Sequence, residues 1–200
     1  MKKVLFVVLV VVLTIGCKAN QNKSDDNKLC DSIVGLIQQG TLHNDTAMLL
    51  KALNLSDSLL SIDTASFSRR LCYHNCAIIL NSLGRKEEAM KNAEMEMNLL
   101  PEDNPQRLLF MAVKQLKEDE KDSADIYLEK VLSVCKLAQK QKFDENMVFY
   151  TIQALYLRYG DKTAKTYLLK LLNEHPNNQM LQYAKDNWGE LKRNILESWR

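Results

Sequence analysis

The sequence predicts an all-α fold, on three observations. Apolar residues recur at three- and four-residue intervals from Leu29 almost to the C-terminus, the period of an amphipathic helix. Alternating runs that would make half-buried strands are absent. The 6 glycines and 3 prolines fall mostly where one periodic segment gives way to the next, the positions that helix ends require.

The N-terminus reads as a processing signal. Lys2 and Lys3 precede an unbroken apolar run from Val4 to Leu13. Carried to Gly16, the apolar stretch falls well short of the ~20 residues a membrane-spanning helix needs and suits an export signal. The end of that stretch, Leu13-Thr14-Ile15-Gly16-Cys17, resembles the lipobox of bacterial lipoproteins, with Thr14 where that family commonly has Leu or Val. The resemblance implies that residues 1–16 are a signal peptide, that Cys17 carries a lipid, and that the lipid is the only membrane contact. Residues 17–28 are expected to hold the lipidated cysteine and a flexible tether, because Lys18 to Lys28 lacks aromatic and β-branched residues. Lys18, rather than the Asp of an enteric-type inner-membrane retention signal, follows Cys17, so the resemblance implies the outer membrane, with the periplasmic face expected over the cell surface. Ser24-Asp25-Asp26 resembles the acidic tract of surface-displayed Bacteroidota lipoproteins, though it is short and distant from Cys17.

Residues 29–69 read as a degenerate helix pair. One helix, Leu29 to Gln39, is expected to stop at Gly40; the next, capped by Asn44 or Asp45, runs to about Ser61. Three further pairs follow, over 70–103, 105–141 and 145–176. In the first, Ala77, Ala89 and Pro101 stand twelve apart, with Gly84 at the turn. In the second, Ala112 and Ala124 are again twelve apart, Asp119 replaces the turn glycine, and the second helix extends to about Gln141. In the third, Ala164 and Pro176 keep the interval, and the Gly160-Asp161 turn is one residue shorter. Small residues let helix axes approach closely, and glycine supplies the left-handed end of a helix. These intervals resemble the tetratricopeptide repeat (TPR). The resemblance implies a right-handed superhelical stack of antiparallel helix pairs. Residues 177–200, with Leu181, Ala184, Trp188, Leu191, Ile195 and Trp199 along one stripe, are the expected capping helix, kinked at Gly189. The expected total is nine helices.

Charge and motifs narrow the function. The chain carries 27 Lys and Arg against 25 Asp and Glu, and loss of Lys2 and Lys3 would balance the two. A neutral chain has no electrostatic footprint for nucleic acid. No metalloprotease, nucleophile-elbow or phosphate-loop pattern occurs, so the expectation is no enzyme, no cofactor and no metal. His43, His74 and His175 are scattered. Cys72 and Cys76, one turn apart around His74, match no zinc spacing. Cys30 and Cys72, near the starts of successive first helices, are the pair that a disulfide would join. Asp-Ser/Thr-apolar triplets begin at Asp31, Asp45, Asp57, Asp63 and Asp122. They resemble the O-glycosylated sites of exported Bacteroidota proteins, but helix capping is the simpler account of most.

The TPR resemblance implies that the first helix of each pair lines a concave groove. By register this gives Leu71, His74, Ile78, Asn81 and Ser82, then Leu109, Val113, Leu116 and Lys117, then Met147, Tyr150, Leu157 and Arg158. Leu71, His74, Asn81, Leu109, Lys117, Tyr150 and Arg158 are the candidate contacts. The Lys and Asn clamp with which part of the family holds C-terminal carboxylates is missing: His74, Ile78, Phe110, Met147 and Thr151 occupy its positions. The expected role is a lipid-anchored scaffold of the cell envelope that binds an unidentified protein or peptide segment. The alternative is a glycan- or peptidoglycan-binding lipoprotein, for which the groove offers one aromatic platform, Tyr150.

Overall fold

A computed structural model describes residues 24–61 and 66–197, with side chains at 29–61 and 69–195. The signal at 1–16, the lipidation site Cys17 and the Asp63 triplet lie outside the described residues, as does Trp199. All regular structure among the described residues is helical. The helices are α1 (Ser24–His43), α2 (Thr46–Ser61), α3 (Ser66–Ser82), α4 (Lys86–Asn98), α5 (Pro105–Lys117), α6 (Lys121–Gln141), α7 (Glu145–Tyr159), α8 (Asp161–Glu174), α9 (Gln179–Asp186) and α10 (Trp188–Glu197). No described helix is long and apolar enough to cross a membrane.

The described chain divides into two compact units, one ending at Leu99 and the other beginning at Leu100. In the first, α1 packs on α2, α2 on α3 and α3 on α4, and α1 also touches α3. Ile33, Leu49, Leu59, Cys72, Cys76 and Ile79 make its core. In the second, each helix packs on the next from α5 to α10, and α5 also touches α7. One of its apolar clusters joins Leu108, Leu109 and Ala112 to Leu128, Val131, Cys135 and Ala154. The other joins Val148, Ile152, Leu168, Leu181 and Trp188.

The turns follow a rule. Asn44, Gly84, Asp119 and Gly160, at the α1–α2, α3–α4, α5–α6 and α7–α8 reversals, all have left-handed backbone, with φ of 51°, 77°, 62° and 83°. No side chain caps α4, α6 or α8 after these turns. The described connections between pairs are built differently. Asn104 accepts from the Gln106 and Arg107 N–H groups, Asp144 from Asn146 and Met147, and Asn178 from Leu181. Each satisfies amides that a helix start leaves without partners. The α1–α2 turn uses both devices, since Asp45 also accepts from Ala47 and Met48.

Three expectations about elements need correction. The helix expected to begin at Leu29 begins at Ser24, so the segment read as a tether is partly helical. It also runs through Gly40 to His43. Gly40 serves packing there: a Cβ added to it would sit 2.9 Å from the Leu49 side chain. The C-terminal helix is two helices, giving ten among the described residues, and the break is at Asn187 rather than Gly189. Asn187 leaves the helical conformation and its amide donates back to the Tyr183 carbonyl. Beyond the break, the Trp188 indole donates to Asp161 Oδ1 at 3.0 Å, and Lys192 pairs with the same oxygen at 2.9 Å. These two partners hold the Asp161 carboxyl below the usual aspartate range, Lys192 first and Trp188 second. The tie joins α10 to the start of α8.

Gly35 and Gly40 therefore have opposite roles in one helix. A Cβ at Gly35 meets nothing within 4 Å, so Gly35→Ala is expected to stabilise the first unit by about 0.5–1 kcal/mol through helix propensity. Gly40→Ala drives a methyl into buried Leu49 and is expected to cost about 1–3 kcal/mol net. Urea unfolding of both variants checks the pair of signs.

Candidate functional site

The face of α3 predicted to carry a ligand divides into two lines. Leu71, Ile78 and Ser82 follow one line; the first two are half-buried and Ser82 is exposed. His74 turns toward α4. Its Nδ1 lies 3.0 Å from Glu96 Oε2, with side-chain exposures of 26% for His74 and 7% for Glu96. Glu96 is the one charged residue among the described residues that is buried, and a carboxylate leaves water only with a compensating donor. That nitrogen of His74 therefore serves helix packing rather than a ligand. Asn81 is exposed near the end of α3.

The line through Ser82 leads into a cleft of about 270 Å3 within the first unit. Gly40, Thr41, Asn44, Thr46 and Leu49 line it from α1, the turn and the start of α2; Ser82 and Leu83 line it from the end of α3. Sequence reading placed Ser82 by register but missed the other wall. Asn44 reads as a cap and Thr46 as part of the Asp45 triplet, and nothing local announces that the end of α1 meets the end of α3.

In the second unit, Met147, Tyr150 and Leu157 form a half-buried stripe on α7 packed against the α5 cluster. Two candidate residues are corrected here. Leu109, 1% exposed, and Val113, one turn on and 6% exposed, are core: their register points them between helices, so neither is offered to a ligand. Lys117, the last residue of α5, is exposed. Arg158 leans on α6, the second helix of the preceding pair, 3.8 Å from Asp125 and 3.7 Å from Glu129. Its guanidinium lies 5.1 Å from the Tyr159 ring centroid. Contacts this long to exposed acids are weak, and they draw Arg158 toward α6.

The polar groups of the interior are structural. Tyr167 Oη donates to Gln139 Oε1 at 2.9 Å, Gln139 Nε2 donates to Thr151 Oγ1 at 3.3 Å, and Thr151 donates to the Met147 carbonyl. This chain ties α6, α7 and α8 together through residues that the sequence alone gives no reason to join. No disulfide joins Cys30, Cys72, Cys76 or Cys135, so the expected Cys30–Cys72 bridge is not formed. Burial, reinforced by Asp57, pushes the Cys76 thiol up to about 12; burial pushes Cys135 up to about 11. Such thiols supply almost no thiolate nucleophile near neutrality. No group of three His, Cys, Asp or Glu that could hold a metal occurs among the described residues. Of the four described Asp-Ser/Thr triplets, capping accounts for Asp45 alone: Asp31 and Asp57 lie inside helices, and Asp122 lies in the first turn of α6 behind Glu120.

Comparisons with protein-family models, with curated proteins and with solved structures found no match.

The His74–Glu96 contact gives a stability prediction. His74→Ala leaves a buried carboxylate without this donor and is expected to cost about 2–4 kcal/mol. Adding Glu96→Met, which removes the stranded carboxylate, is expected to recover most of that loss. Denaturant unfolding of the single and double variants reads the difference.

Proposed function

We propose that this chain is a protein-interaction module of the bacterial cell envelope, tethered by a lipid on Cys17. In this reading its helix pairs stack as a right-handed TPR-like solenoid, and the first helices of the pairs carry the binding surface. The recurring left-handed turns support the repeat, as does the contact of first helix with first helix, α1 with α3 and α5 with α7. The observation that carries the binding role is the half-buried stripe Met147, Tyr150 and Leu157 on α7. Aromatic and aliphatic side chains held on a rigid helix, partly open to solvent, suit anchors of a partner segment laid across them. The corrected contact set is Leu71, Ile78 and Ser82 in the first unit, and Lys117, Met147, Tyr150 and Leu157 in the second. A tether would raise the local concentration at the membrane, so a modest surface would suffice. Tyr150 is the one aromatic in this set, a thin platform for stacking sugar rings.

Site-specific photocrosslinking in cells tests the proposal. A benzophenone side chain at Tyr150 or Leu157 is expected to give a discrete protein adduct. The same group at Ile126 or Tyr183, 58% and 54% exposed on other helices, is expected to give none. Cys17→Ser should release the chain from the membrane fraction and reduce the adduct. Equal labelling from all four positions, or from none, would remove the α7 stripe as the binding surface.

A further inference from the structure

We infer that the cleft between the ends of α1 and α3 takes an uncharged amide side chain, Asn or Gln, of the bound partner. This rests on the proposed interaction role and names the chemistry of one of its contacts. Four uncharged polar side chains line the cleft, Thr41, Asn44, Thr46 and Ser82, over apolar walls from Leu49 and Leu83. The acid between two of them, Asp45, is committed to the Ala47 and Met48 amides through Oδ1. A carboxylate would therefore be desolvated here beside a like charge and without a counter-charge. An aliphatic one would cover the Asn44, Thr46 and Ser82 polar groups and cut them off from water, at a cost for each.

An amide meets both demands. It is neutral, and it offers two donors and an acceptor with two lone pairs. The Ser82 hydroxyl already donates to the Ile78 carbonyl at 3.0 Å, so what it has left to offer is acceptor capacity, which an amide NH2 fits. Asn44 and Thr46 can each donate or accept. The methylene stem would lie on Leu49 and Leu83. About 270 Å3 corresponds to roughly nine water volumes, ample for such a side chain. Ser82 also stands on the same line of α3 as Leu71 and Ile78, so a segment lying along that line reaches the cleft.

Thr41 adds a further sign. Ser56, Ser58, Ser82, Thr151 and Thr166 all donate to the carbonyl four residues back in their helices. The Thr41 hydroxyl is shielded and has no hydrogen-bond partner. Thr41 itself lines the cleft, where a bound amide would satisfy it.

The test titrates N-acetyl-glutamine methylamide into the 15N-labelled full chain and follows amide shifts. Its glutamate and norleucine counterparts serve as the charged and apolar controls. The expected result is saturable shifts confined to residues 40–49 and 82–83, with affinity at least about fivefold above either control. Thr46→Val with Ser82→Ala, checked for an unchanged melting curve, should abolish them; Ser82→Thr, which keeps the hydroxyl, should retain them. No saturable shift up to ~100 mM, a weakness beyond any useful contact, would overturn the inference. So would equal binding of the norleucine probe, or persistence of the shifts in the double variant. Adducts at Tyr150 without glutamine binding would sink the amide inference alone. Glutamine binding without adducts would instead count against the α7 surface.

Discussion

A single left-handed residue reverses the chain between the two helices of each pair, and the rest of the structure depends on that economy. Asn44, Gly84, Asp119 and Gly160 each turn the backbone with positive φ. A reversal this short leaves consecutive helices side by side and antiparallel. Axes brought so close tolerate only small side chains at the contact. Ala52, Ala89, Ala112, Ala124 and Ala164 are accordingly all buried. Turn and alanine are two halves of one constraint: a bulky residue at the contact would demand a longer turn, and a longer turn would remove the need for alanine.

The joins after α4, α6 and α8 follow a second logic, in which a side-chain oxygen starts the next helix. Asn104, Asp144 and Asn178 do this with carbonyl or carboxylate groups. At the C-terminal end a further device appears. Asn187 interrupts the chain so that Trp188 and Lys192, one turn apart, converge on Asp161. The Trp188 ring meanwhile enters the apolar cluster of the second unit, so one residue supplies both burial and a directed hydrogen bond.

The helices were legible in the sequence because period and punctuation agree. Gly84, Asp119 and Gly160 stand where apolar periodicity changes phase, and the long reach of α6 to Gln141 follows from its unbroken stripe. Gly40 misled because a glycine inside a helix looks like a stop signal until Leu49, nine residues away, is seen to occupy its missing side chain. The start of α1 was hidden because polar residues at a helix end carry no apolar period. Individual surface positions were less legible than helices. Register separates the faces of a helix, but it does not say how deep a face lies. Leu109 was assigned to a groove and is core; His74 was assigned to a ligand and holds Glu96. The cleft beside Ser82 was unreadable because its other wall comes from a turn some forty positions earlier.

If the left-handed turns set the geometry, their chemistry can be tested directly at the two that lack glycine. A left-handed conformation costs an ordinary L-residue roughly 1–2 kcal/mol, less for Asn or Asp, and glycine almost nothing. The decisive measurement is the unfolding free energy of Asp119→Gly, Asp119→Ala, Asn44→Gly and Asn44→Ala. Both glycine variants are predicted to match or exceed the parent chain, and both alanine variants to fall about 1 kcal/mol below it. Alanine variants as stable as the parent, or glycine variants less stable than the alanine ones, would contradict the account.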